Sequence, residues 1–177
     1  MANTIFYMES ANLFAGDHDP TDSKHLAIEE VKLPDLKAMF QDHTAGGSPV
    51  TIEVQVGIEK LEPSFKLKGF DPNLLAQFGY GMTTRSRFTI YGVMRDLRTS
   101  ESKDAIAIIE GRLGKIAPDA FKRGELGGEE YSINEVVHYE IHFDSKEILR
   151  WDFFTGEWIV NGVSVNARER SLLRLPG

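Results

Sequence analysis

His138, Glu140 and His142 form the strongest chemical constellation in this sequence. In an extended strand, side chains two apart share a face, so all three could converge on one metal ion. Alternate positions of a single strand supply too few ligands, however, and a further carboxylate or histidine from elsewhere would be needed. The simpler reading is the polar face of a half-buried strand. Other chemistry finds less support. The chain has no cysteine, which excludes disulfides, thiolate metal sites and thiol nucleophiles. There is no GxSxG elbow, no GxxxxGKS phosphate cradle and no GxGxxG turn, and a pair such as Glu129 with Glu130 reads as solvated charge rather than an acid/base couple.

The strand that carries these residues is the longest alternating segment of the chain. From Glu130 to Phe143, the residues Tyr131, Ile133, Val137, Tyr139, Ile141 and Phe143 stay in register, with Glu135 breaking the pattern. Further extended runs are expected over 26–33, 36–40, 50–58, 64–68, 87–94, 104–116, 148–154 and 157–160, with a polar loop over 118–128 and a short helix closing 163–173. Gly111 and Gly114, inside one of these runs, point to a bulge or a close backbone approach.

The stretch 33–79 joins three signals. A polar, glycine-containing loop spans Gln41 to Ser48. Ile52, Val54, Val56 and Ile58 then fall on one face of a half-buried strand, with Thr51, Glu53 and Gln55 on the other. A short helix follows, with Asp71 as its cap, Pro72 in the first position and Gly79 as its left-handed stop. The first 25 residues read as an irregular arm that orders against a partner.

At 177 residues and 41% hydrophobic content, the chain suits one core. Residues 26–177 are expected to form a single mainly β domain, a sandwich or barrel with one or two short helices. No apolar run approaches the roughly 18 residues of a membrane span, and the N-terminus lacks a secretory pattern, so a soluble protein made in a cytoplasm is expected. Twenty-seven acidic against twenty scattered basic residues give a net charge of -7, too acidic for gripping nucleic acid yet compatible with a surface along which it slides.

Six short pieces, in order, resemble the major tail tube proteins of contractile-tailed, P2-like bacteriophages. They are Asn12 to Gly16, Leu33 to Leu36, Ala45 to Gly47, Gly57 to Glu62, Gly111 to Ile116 and Asn161 to Val163. The resemblance spans nearly the whole chain. It implies a structural virion protein without catalytic, metal or cofactor site, whose subunits give strands to a shared β-barrel in hexameric rings. The rings would stack into a conduit for DNA ejection.

The implied partners are other copies of the chain, a tail sheath protein, a tape measure protein, baseplate and tail terminator proteins, and genomic DNA passing without specific binding. No membrane is implied. The subunit would reside in the virion tail after assembly in the host cytoplasm. On this reading Glu53, Gln55 and Glu59, with Asn134 and Glu140, line the lumen, and the 41–48 loop, through Asp42, His43, Thr44, Ala45, Gly46 and Gly47, reaches the neighbouring ring. Two alternatives stay open: a tube of a type VI secretion system or phage-tail-like bacteriocin, and a metal-binding jelly-roll enzyme using His138, Glu140 and His142.

Overall fold

Alternation of apolar and polar residues builds two long antiparallel strands that organise everything else. The computed structural model describes residues 4–80 and 84–175. Along the chain lie β1 (Phe6–Ala15), β2 (Ile28–Lys32), β3 (Ala38–Thr44), β4 (Thr51–Ile58), β5 (Ser64–Lys68), α1 (Pro72–Tyr80), β6 (Ser86–Asp96) and β7 (Ser102–Pro118). β8 (Gly128–Phe143), β9 (Lys146–Asp152), β10 (Glu157–Val160), β11 (Val163–Ser164) and α2 (Ala167–Leu172) complete it. The fold is mainly β, as the alternation predicts.

β1, β6, β7, β8, β9, β10 and β11 lie in that order in one sheet. β7 runs along one edge of β8 for its full length. The other edge of β8 is divided: Gly128 to Ser132 pair with β5, which pairs in turn with β2, and His138 to Phe143 pair with β9. The sheet therefore forks at residues 133–137. Side chains of the inner face, including Leu13, Phe65, Leu67, Phe88, Ile109, Tyr131 and Tyr139, make a continuous core into which α1 sends Leu74. Phe65 stacks on Tyr131 at 4.9 Å between ring centres.

The break in alternation at Glu135 is the apex of this fork. Glu135 takes a left-handed φ of 49° and its carboxylate binds both Arg85 and Arg112. Opposite it, the β7/β8 register shifts twice, between Glu110 and Arg112 and between Leu113 and Lys115. Gly111 and Gly114 sit at these bulges as the sequence leads one to expect. A Cβ on Gly111 would stand 2.8 Å from the Asn134 carbonyl oxygen, and one on Gly114 would stand 2.1 Å from the Asn134 side chain.

The N-terminal segment differs from expectation. Phe6–Ala15 is not an irregular arm but strand β1, paired with β6 from Asp96 to Phe88 and burying Leu13 completely; the connection over 16–27 is irregular apart from one 3-10 turn at Pro20–Asp22. Leu13, Phe14 and Ala15 are contiguous in sequence, so the strand lacks the clean period that would announce it.

α1 is capped as predicted: Asp71 Oδ1 accepts from the amides of Asn73 (3.0 Å) and Leu74 (3.1 Å). The helix continues through Gly79 to Tyr80, so Gly79 is not its stop, and the stop lies outside the described residues. Lys24 pairs with Asp71 at 2.7 Å, both side chains being largely shielded. Burial raises the Asp71 carboxyl, but the Lys24 and backbone hydrogen bonds outweigh it and hold its pKa below the ordinary value. A depressed carboxylate stabilises the fold above its unfolded pKa of about 3.9, and that contribution disappears as pH falls through the lower folded value. Asp71→Ala is accordingly expected to lose about 1–2 kcal/mol in urea unfolding at pH 7, with the gap from wild type narrowing below about pH 4.

Candidate assembly interface and polar cluster

β3 and β4 form a two-stranded sheet of their own, paired from Ala38 with Ile58 to Thr44 with Thr51. Gln41 to Ser48 is therefore not a free loop: Asp42, His43 and Thr44 complete strand β3, and Ala45, Gly46 and Gly47 belong to the hairpin tip. A polar composition concealed the strand because neither face of it meets the core.

The faces alternate as the sequence predicts, but the strand is not half-buried. Ile52, Val54 and Val56 are 55%, 43% and 55% exposed. The opposite face carries Glu53 directly across from Asp42, Gln55 across from Phe40, and a Thr44–Thr51 hydroxyl contact of 2.8 Å. Like charges set opposite each other disfavour the ribbon slightly, and the exposed aliphatic face costs solvation. An isolated two-stranded ribbon has little to offset either term.

At the ribbon's base, the cleft between the two branches of the fork forms a groove of about 620 Å³. Ile58, Leu61, Val136, Trp151, Phe153 and Trp158 give it an apolar lining. Arg85 lies over the Phe154 ring at 5.5 Å and binds Glu135, tying the groove's rim to the fork. Sequence reasoning missed this groove because it exists only where β5 and β9 separate along one strand.

The proposed lumen residues are divided among four places. Glu53 and Gln55 stand on the polar face of the hairpin. Glu59 follows β4 and pairs with Lys37 at 2.7 Å. Asn134 lies at the fork against Gly114, and Glu140 lies on the outer face of the main sheet. One subunit does not bring them together.

Glu140 instead joins a chain of acids and histidines. His138 Nδ1 lies 3.1 Å from Asp152 Oδ2, and its Nε2 lies 3.1 Å from Glu140 Oε2. Glu140 Oε1 contacts His142 Nε2. Burial pulls the Glu140 carboxyl upward, but hydrogen bonds to His142 and His138 outweigh it and leave its pKa below the ordinary value. Glu129, expected to be solvated, is buried and accepts the Tyr131 hydroxyl. Burial first, then this carboxylate, pushes the Tyr131 hydroxyl well up, so the pair is a structural hydrogen bond and not a proton-transfer couple.

Comparison with known proteins bears on these surfaces. The profile of the family described as phage tail tube protein FII matches residues 11–173. No curated protein matches. Among solved structures, the chain is similar to one in the sheath–tube complex of the extracellular contractile injection system PVC in its extended state. The TM-score is 0.56 at 8% identity, over 75% of this chain and 88% of that one. A chain of the sheath/tube terminator of the same system gives 0.56 at 9% identity, over 76% and 94%. One in the baseplate of the anti-feeding prophage gives 0.50 at 10% identity, over 75% and 90%. At these identities the likeness is one of fold.

Proposed function

The chain belongs to the phage tail tube protein FII family, and on that premise we propose that six subunits close a ring around a lumen and that rings stack into the inner tube of a contractile tail. It is a structural tail tube protein, not an enzyme. The observation that carries the assembly reading is the β3–β4 ribbon, free of the subunit's core on both faces, one aliphatic and the other bearing Asp42 and Glu53. A ribbon with two open edges and an exposed apolar face is a template for a neighbouring chain, and a closed ring is the arrangement that leaves no edge over. The contact is heterologous: rotation closes the ring, and stacking repeats without limit.

In this arrangement the aliphatic face turns to the neighbouring subunit and the acidic face to the lumen. Asp42 thereby moves from the hairpin tip to the lumen set, beside Glu53 and Gln55. The tip from Ala45 to Val50, together with the 16–27 connection, is left to reach the adjoining ring. DNA passes a carboxylate-lined wall without being held, because phosphate and carboxylate repel. The family match supports DNA as the cargo. A sheath outside the tube, a tape measure protein fixing its length, and terminator and baseplate at its ends complete the assembly, built in the host cytoplasm and carried in the virion tail.

Electron microscopy of purified, tag-free protein over a range of concentration and salt tests this reading. Rings or hollow tubes are expected; uniformly monomeric particles at every concentration, even with a tail baseplate added as a seed, would overturn it. The lumen assignment has its own test. Tubes of the Asp42→Lys/Glu53→Lys variant are expected to retain short duplex DNA at low salt and release it as salt rises, whereas wild-type tubes retain none; equal retention would place these residues outside the lumen.

A further inference from the structure

We propose that Glu140, His142 and Glu147 form a binding site for one first-row divalent cation on the outer face of the β8–β9 ribbon. The sequence places two histidines and a glutamate on one face of β8 but leaves the set a ligand short. The fold supplies that ligand. A register shift between Ile141 and His142 sets Glu147 of β9 directly opposite His142. One donor atom from each of Glu140, His142 and Glu147 then lies within 4.8 Å of the others. Metal bonds of about 2.0–2.2 Å hold donors within about 4.4 Å of one another, so a small side-chain adjustment closes the site.

The surroundings match what a coordinated carboxylate needs. Glu140 presents one oxygen toward His142, and its other oxygen is held by His138 Nε2 at 3.1 Å. His138 is oriented in turn by Asp152 at 3.1 Å. A carboxylate fixed by a histidine that is itself fixed by a second carboxylate is an outer shell that sets ligand direction. Arg150 pairs with Glu147 at 3.4 Å and also reaches Glu157 at 3.8 Å, so it keeps a partner when Glu147 turns to a cation. The side chains of Glu140, His142 and Glu147 are 18%, 25% and 23% exposed, shielded yet open to an ion entering from solvent. One imidazole and two carboxylates suit zinc and its neighbours, with a position left for water. The bound ion would pin β8 to β9 beyond the fork, a stabilising role that requires no catalysis and does not depend on tube assembly.

The test is titration of tag-free, chelator-stripped subunit with zinc chloride by calorimetry. One ion per chain is expected, with Glu147→Gln and His142→Ala each weakening binding at least about tenfold. His138 is a positioning residue: His138→Ala should lower affinity about tenfold while keeping the one-to-one stoichiometry. Zinc should raise the melting temperature of wild type, and at the same concentration raise that of Glu147→Gln by less. Glu147→Gln preserves side-chain shape, and circular dichroism of each variant confirms its fold. Cobalt absorption of the wild-type protein gives an independent reading, since four-coordinate ligation by imidazole and carboxylate gives stronger bands at longer wavelength than the weak absorption of free cobalt in buffer. Absence of saturable zinc and cobalt binding, or affinity unchanged in both Glu147→Gln and His142→Ala, would overturn the assignment.

Discussion

A Val54→Asp subunit is expected to melt within about 2 °C of wild type and to form neither rings nor tubes. The two halves of that result come from one fact. Val54 projects from the aliphatic face of the hairpin and touches no part of its own core, so its replacement is a surface substitution, worth about 0.5 kcal/mol or less in the free subunit. In the assembled tube the same position would be covered by a neighbour, and an unpaired carboxylate there costs several kcal/mol at every subunit contact. Thr51→Asp, on the opposite face, is the control and should assemble. Thermal melts and sedimentation, followed by microscopy, separate the outcomes; tubes forming at the wild-type concentration would show that the aliphatic face is not an interface.

Gly111→Ala is expected to destabilise the subunit by about 2–3 kcal/mol, lowering its melting temperature by roughly 5–10 °C. The added methyl would lie 2.8 Å from the Asn134 carbonyl oxygen and 2.8 Å from Ile133 Cγ2, so the clash is with backbone and with a buried side chain that has no room to withdraw. β7 and β8 would have to part at the bulge that permits the fork. Gly57→Ala is the matched control: nothing lies within 4 Å of its new methyl, and urea unfolding should find stability unchanged or slightly raised. Equal losses from the two substitutions would mean that the close approach at Gly111 does not matter.

The central strands were legible because each keeps one face against the core. Tyr131, Ile133, Val137, Tyr139 and Ile141 announce β8 by their spacing, and the misplaced Glu135 marks the fork. The glycines of β7 were legible as a bulge or a close backbone approach because glycine weakens a strand interior unless the backbone there needs it. β1 was not, because its apolar residues Leu13, Phe14 and Ala15 run together and its partner lies some eighty positions away. The hairpin's alternation was clear but its burial was not, since period two reports a difference between faces and not what covers either one. The Glu147 ligand was invisible because a one-residue register shift cannot be read from either strand alone.

The separate hairpin also bears on timing. A two-stranded ribbon held to its body only at one end is ordered weakly. On the proposed ring-and-tube assembly, the first subunits to meet would order their ribbons with few contacts in return, whereas a subunit landing on a finished rim would find the neighbouring strands already in place. Such a difference separates slow nucleation from fast elongation. Under that proposal free subunits would accumulate without premature filaments, and growth would begin where a template offers the first rim.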